Sequence, residues 1–325
     1  MIVLTQDDVA ALLPMTDAIE VVAGVMKGVS DRTAQLPLRS VVPVGEDNKM
    51  GVMPGAIADP ACYGVKLVSL FPGNPARGLS SHRGAIVLFE AETGGAVAMM
   101  DAGLLTAIRT AAASAVATRT LAREDASKLA LVGYGEQAEH HLHAMLAVRP
   151  IERVVVAGRS AEKAAAFAEQ AAAHFPEVAF SSSTDLRSAV ESADIVCTVT
   201  AAPKPIVSGD WVREGAHVNV VGSSIPSMRE VDDRMVERGK IWVDYLPSTL
   251  AQAGEIVEMI AAGKLKEEDL AGEIGAVLQG RIAGRSTAEQ ITVYRSLGVA
   301  AQDLAAAHFV LERARATGRG QSVSF

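Results

Sequence analysis

The spacing of apolar and polar positions changes twice along the chain. Near the N-terminus, Thr5-Gln6-Asp7-Asp8 predicts a helix N-cap with an acid three residues on. Thr16 reads as a second cap, opening a helix with Ile19, Val22 and Met26 on one face. Over residues 36–100 the texture becomes that of strands. Residues 41–44, 50–53 and 64–70 are short β-rich runs ended by Gly or Pro. Residues 85–90 and 96–100 flank Glu92-Thr93-Gly94-Gly95, a hairpin signal. An α+β unit with an antiparallel sheet follows.

An Ala-rich helix is predicted over residues 102–122, long enough to connect two domains. Beyond it, apolar runs at 129–132, 153–157, 193–199, 217–221 and 241–244 read as strands. Helical patterns at 136–146, 161–174 and 185–192 lie between them. Such alternation predicts a parallel sheet with right-handed crossovers. A last helix, about 298–317, is apolar at Val299, Leu304, Phe309 and Leu311, and is expected to return to the first domain. The fold class is therefore α/β: a doubly wound parallel sheet (residues 123–298) plus an α+β unit (residues 1–122 and 299–325).

Composition narrows the function classes. The chain has 325 residues, beyond the ~250–300 at which a single core stops growing. Its net charge of −8 and lack of a long basic run argue against nucleic acid as a partner. Cys62 and Cys197, both in apolar runs, fit a reduced, cytoplasmic chain rather than a metal cluster. No signal-peptide pattern opens the sequence, and no run approaches the ~20 apolar residues of a membrane span. A metal site is not expected.

The strand at 129–132 leads into Gly133-Tyr134-Gly135-Glu136-Gln137-Ala138, with a helix and a second strand following at the spacing of a Rossmann dinucleotide site. Gly133 permits the turn, Gly135 a close approach of the pyrophosphate, and Ala138 a close helix. The unpaired N–H groups of Glu136 and Gln137 then face phosphate. NAD sites usually carry an acid after the second strand. Here stand Gly158, Arg159 and Ser160, with Lys163 one turn on, which suit a 2′-phosphate. NADP(H) is expected, with NAD(H) as the alternative.

Three cations interrupt apolar runs in the first domain: Arg39, Lys66 and Arg109. Any one of them alone would snorkel or pair with an acid. Three together in an acidic chain point to a bound carboxylate, with Lys66 also able to relay a proton. His82, beside Ser81, is a candidate acid or base. His140, His141 and His143 read as exposed.

Taken together, several stretches resemble the ornithine cyclodeaminase/mu-crystallin family. They are Gly51-Val52-Met53-Pro54, Val65-Lys66-Leu67-Val68, Ser81-His82-Arg83-Gly84 and the run from Leu105 through Arg109-Thr110-Ala111-Ala112-Ala113-Ser114-Ala115. Further on come residues 133–138, 217–222, 272–275 and 296–298. The resemblance implies a homodimer built on the first domain's sheet, NAD(P) as cofactor and a small amino or imino acid as substrate. It implies Arg39, Lys66 and Arg109 around the substrate carboxylate, with Met53 and Leu297 as further substrate contacts. It places Ser81, His82, Arg109 and Thr110 near the cofactor, and Thr200, Val221 and Ser296 beside its nicotinamide half. Ring size and side chain would be set by the loops at 53–59 and 224–228.

One departure matters. Cyclodeaminases resemble G-G-D-x-P after the corresponding strand, and this chain reads Gly222-Ser223-Ser224-Ile225-Pro226. Ser224 replaces the catalytic acid, as in ketimine reductases. The expected activity is NAD(P)H-dependent reduction of a small α-imino acid, such as pyrroline-2-carboxylate or piperideine-2-carboxylate. Alanine dehydrogenase-like and iminosuccinate reductase chemistry are the alternatives. Cyclodeamination is disfavoured, and a non-catalytic binder of the crystallin type is the rival from another class.

Overall fold

The structure is a computed structural model that describes residues 1–324. The chain forms two compact units, Met1–Ala112 with the chain from Gly298 onward, and Ala113–Leu297. The boundary between 112 and 113 falls inside a continuous helix, ahead of the 122/123 division predicted from sequence.

Strand β1 (Ile2–Leu4) leads to helix α1 (Gln6–Leu12), where Thr5 and Asp8 form the expected capping box. Helix α2 (Met15–Ser30) buries Ile19, Val22 and Met26. Its N-cap is Pro14, not Thr16. The Pro14 carbonyl already accepts from Ala18 N at 3.0 Å, so the first turn starts earlier than the hydroxyl suggested.

Strands β2 (Ser40–Val44), β3 (Asn48–Ala58), β4 (Ala61–Leu70), β5 (His82–Phe89) and β6 (Ala96–Asp101) form an antiparallel meander. The segment 53–59, predicted as a loop because of Pro54 and Gly55, lies largely within β3. Strand β2 pairs with β3 only as far as Val52, so Pro54 lacks a ladder partner on that side and its missing N–H costs little. Helix α3 (Ala102–Leu121) follows.

The second unit alternates as predicted. Its elements begin β7 (Lys128–Val132), α4 (Glu136–Val148), β8 (Arg153–Ala157), α5 (Ala161–His174), β9 (Ala179–Ser183) and α6 (Leu186–Glu191). Then come β10 (Ile195–Thr198), β11 (His217–Val220), α7 (Asp233–Arg238), β12 (Lys240–Val243), α8 (Leu246–Gln252) and α9 (Gly254–Ala261). Finally come β13 (Gly272–Glu273), α10 (Ile274–Leu278) and β14 (Thr292–Arg295). All eight strands are parallel, in the order β13-β12-β14-β11-β10-β7-β8-β9. Connections run outward from β7 to β8 and β9, then return to β10 on its other side. This topological switch point is where open α/β sheets bind ligands, beyond the strands' carboxyl ends. Val132, Val196, Val218, Val220 and Val293 fill the apolar core.

Helix α11 (Ala300–Thr317) rejoins the first unit, and β15 (Gln321–Ser322) pairs with β1. The first sheet then reads β15-β1-β6-β5-β4-β3-β2. Helix α11 packs on α2 and on β3, β4 and β5. Facing glycines Gly55 and Gly64 make the approach close. A Cβ at Gly55 would lie 3.0 Å from Ala300 Cβ, and one at Gly64 would lie 3.0 Å from Leu304 Cδ2. The first turns of α11 are thereby set down on the sheet.

Candidate active site

Along β4, alternate residues Cys62, Gly64, Lys66 and Val68 are buried. Lys66 therefore points inward and is 2 % exposed. A buried ammonium requires a partner. It has Asp303 on α11, with Nζ 2.9 Å from Oδ1 and 2.8 Å from Oδ2. Arg109, buried on α3, donates from Nε to the same Asp303 Oδ1 at 2.7 Å and from Nη1 to Gln302 Oε1 at 2.8 Å. Arg39 donates to the Gly298 carbonyl at 2.8 Å. Met53 is buried directly across the ladder from Lys66.

The Lys66–Asp303–Arg109 triad carries two positive charges against one negative, and Arg39 adds to its positive field. Burial pulls the Lys66 pKa down to about 7, aided by Arg109 and Arg39 and opposed by Asp303. Burial alone would raise the Asp303 carboxyl, but Arg109 and Lys66 outweigh it and hold it below its ordinary value. His82 opens β5, and desolvation by the protein packed around it, with the charges of Lys66 and Arg109, lowers its pKa. Ser81 Oγ lies 2.9 Å from His82 Nδ1. Thr110, next to Arg109, is buried. The first unit thus gathers Arg39, Lys66, His82 and Arg109 as one electrostatic cluster suited to a carboxylate.

In the second unit, Gly133 adopts φ +123°, and a Cβ there would lie 3.0 Å from the Val199 carbonyl. Gly135 is the N-cap of α4 and leaves its first turn without a side-chain cap, while Ala138 is fully buried. The N–H groups at the start of α4 are thereby left for an anion. Tyr134 lies against Gly158, and its Oη accepts from Ser160 N at 3.2 Å. Ser160 Oγ caps α5 by accepting from Lys163 N at 3.3 Å, and keeps its own proton to donate. Arg159 and Lys163 are exposed.

Beyond β10 and β11, the buried Glu230 carboxyl accepts four hydrogen bonds. They come from Thr198 Oγ1 (2.9 Å), Thr200 N (2.7 Å), Thr200 Oγ1 (2.7 Å) and Gly222 N (2.6 Å). Burial raises its pKa, and these donors oppose the rise. Val221 is buried beside this knot. Ser296 donates its N–H to Val220 O at 3.0 Å, while its buried Oγ has no partner among the described residues. Leu297 N donates to Asp244 Oδ2 at 2.7 Å, which places Leu297 in the second unit. Arg295 donates to Glu255 Oε1 at 2.5 Å and to Ser223 Oγ at 3.0 Å, securing the segment that carries the half-buried Ser224. The glycine turn, the open α4 N-terminus and the orphaned Ser296 hydroxyl fit a dinucleotide.

One prediction needs correction. His141 is fully buried, not exposed. Its Nε2 lies 3.0 Å from Ser114 Oγ and its Nδ1 2.7 Å from Gln137 O, and burial lowers its pKa to about 4. It is a neutral packing group, as is His217, lowered by burial to about 3. Asp303, Gln302, Glu230, Arg295 and Glu255 were not predicted at all.

A parallel sheet with a dinucleotide turn at its switch point, joined to a mixed-sheet unit holding a cationic cluster, defines a Rossmann-type two-unit protein. The chain belongs to the ornithine cyclodeaminase/mu-crystallin family, whose model matches residues 1–318. It is 34% identical over 327 residues to a Delta(1)-pyrroline-2-carboxylate reductase of Bacillus cereus, covering 100% of both chains. It is 34% identical over 302 residues to the ketimine reductase mu-crystallin of Rattus norvegicus, covering 93% of this chain and 91% of the other. The solved Thermococcus litoralis Delta(1)-pyrroline-2-carboxylate reductase, in complex with NADH and L-proline, superposes with a TM-score of 0.95. The two are 33% identical, with 99% of this chain and 100% of that one covered.

Proposed function

We propose that this protein is an NAD(P)H-dependent reductase of a small α-imino acid, a cyclic ketimine such as pyrroline-2-carboxylate or piperideine-2-carboxylate. The observation that carries the reading is the buried Lys66–Asp303–Arg109 cluster in a chain whose full-length relatives are imine reductases. Arg39, Lys66 and Arg109 clamp the carboxylate and fix the orientation of the C=N bond. The reduced nicotinamide supplies a hydride when bound. Lys66 Nζ holds the proton that accompanies the imine nitrogen as it becomes an amine. Ser224 offers no carboxylate for a diamine's distal ammonium, which disfavours cyclodeamination. Keto acids with ammonia, and cyclic imines of five- and six-membered rings, each assayed with NADPH and NADH, test the reading. It fails if no imine consumes reduced cofactor, or if ornithine releases ammonia without net change in absorbance.

The cofactor reading is NADP(H), because Arg159 and Lys163 are exposed beyond β8 where an acid would favour NAD(H). Arg159→Ala is expected to raise the KM for NADPH by roughly 10-fold, the worth of one charge-assisted contact, and to leave that for NADH unchanged. Equal effects on both cofactors would remove the 2′-phosphate contact.

The working form is a homodimer. Edge strand β2 exposes Val41, Val42 and Val44, a row that an isolated chain would leave open to association. Sedimentation equilibrium should give twice the chain mass, and Val42→Lys should shift the population to monomer. A wild-type monomer at micromolar concentration would refute this.

A further inference from the structure

Asp303 sits in the first turn of α11 and is 1 % exposed. A carboxylate buried this deeply is destabilising unless paired. It faces two cations from different elements, Lys66 on β4 and Arg109 on α3. The adjoining Gln302 takes a second N–H of the same guanidinium. Gly298, just before the helix, accepts from Arg39, and its Cα lies against the Arg109 guanidinium, where a Cβ would come within 2.5 Å of Nη1. One short segment, residues 298–303, therefore meets all three cations.

We propose that Asp303 is the positioning residue of the carboxylate site, aiming the Lys66 ammonium and Arg109 guanidinium and supplying the negative charge that balances them until substrate arrives. This inference rests on the imine-reductase reading. The groups facing Lys66 are Asp303 from α11, Arg109 from α3, Arg39 ahead of β2 and His82 from β5. Of these, Asp303 alone favours the ammonium. Burial and the neighbouring guanidinium groups already bring the Lys66 pKa to about 7. Without the Asp303 charge the amine would give up its proton at lower pH. A substrate carboxylate acts in the same direction as Asp303, so binding is expected to draw a proton onto Lys66.

The test compares wild type, Asp303→Asn and Asp303→Glu. In wild type, kcat/KM for imine reduction should fall as pH rises through the Lys66 pKa. In Asp303→Asn that limb should move toward acid by roughly one to three pH units, the span that a close opposite charge commands. The KM for the imine should rise about 10-fold as Arg109 loses its charged partner. Asp303→Glu keeps the charge but displaces it, so its pH limb should stay near wild type while KM still rises. This keeps the inference open to refutation if the Asn protein does not fold. A direct titration of the Lys66 side chain by NMR, assigned by its loss in Lys66→Met, reads the same shift with no substrate or cofactor present. If no imine turns over, the function reading fails while the titration still judges Asp303. An unshifted Lys66 titration in Asp303→Asn, or a wild-type KM in Asp303→Glu, overturns the inference.

Discussion

Lys66→Met should lower kcat/KM for imine reduction by roughly 10²–10⁴-fold, the range associated with loss of a positioned proton donor. The variant is chosen so that the fold survives. Asp303 keeps its bond to Arg109 Nε at 2.7 Å, and a thioether side chain replaces a buried amine without leaving a charge unpaired. Reduced-cofactor binding, followed by nucleotide fluorescence, should be unaffected, because Lys66 belongs to the first unit and the glycine turn to the second. Loss of turnover with intact cofactor binding would place the defect at the imine. Turnover within a factor of a few of wild type would show that Lys66 neither clamps nor protonates, leaving Arg39 and Arg109 as the carboxylate site and returning the proton to His82 or solvent.

The second large effect concerns stability. Arg295 is 1 % exposed on the interior strand β14, and its guanidinium serves Glu255, Ser223 and the carbonyls of Val220 and Ser296. Arg295→Met strands a buried carboxylate and should cost about 3–5 kcal/mol. Thermal unfolding of the second unit should drop by roughly 10 °C. The double variant Arg295→Met/Glu255→Met should recover most of that loss, since a buried pair exchanged for apolar side chains of similar volume is often neutral. If the double variant is no more stable than the single one, the cost lies in packing around β14 and not in the stranded Glu255.

The parts of this molecule that were legible in sequence share one property: their signal is local. The turn from Gly133 to Ala138 is recognisable because strand, glycines and helix follow in unbroken order. Lys66, Arg39 and Arg109 stand out because a charge interrupts an apolar run. Ser224 was legible only against a family pattern. Asp303 escaped for a physical reason. An acid in a helix's first turn is what the helix dipole favours anyway, so nothing marks it as the partner of a strand lysine far away in the chain. Glu230 lies in an irregular stretch whose meaning depends on Thr198, Thr200 and Gly222 converging on it. Strand β9 was missed because Ser181-Ser182-Ser183 is polar on an edge, and β14 because Thr292 and Arg295 break an otherwise apolar strand. His141 was misread because two neighbouring histidines made the helix face look wet, when one of the three turns inward to Ser114.

The order of synthesis has its own consequence. Lys66 and Arg109 leave the ribosome with the first third of the chain, whereas Asp303 lies 237 residues beyond Lys66. Through the whole synthesis of the second unit, the nascent first unit holds two cations destined for burial and no carboxylate from α11 to receive them. The N-terminal sheet must therefore wait, incompletely packed, while a parallel-sheet unit forms from contiguous chain behind it. Final packing of the first unit begins only when α11 emerges and lands on Gly55 and Gly64. A ribosome-stalled chain ending before residue 300 should show a protease-sensitive N-terminal third, and release of the full chain should close it.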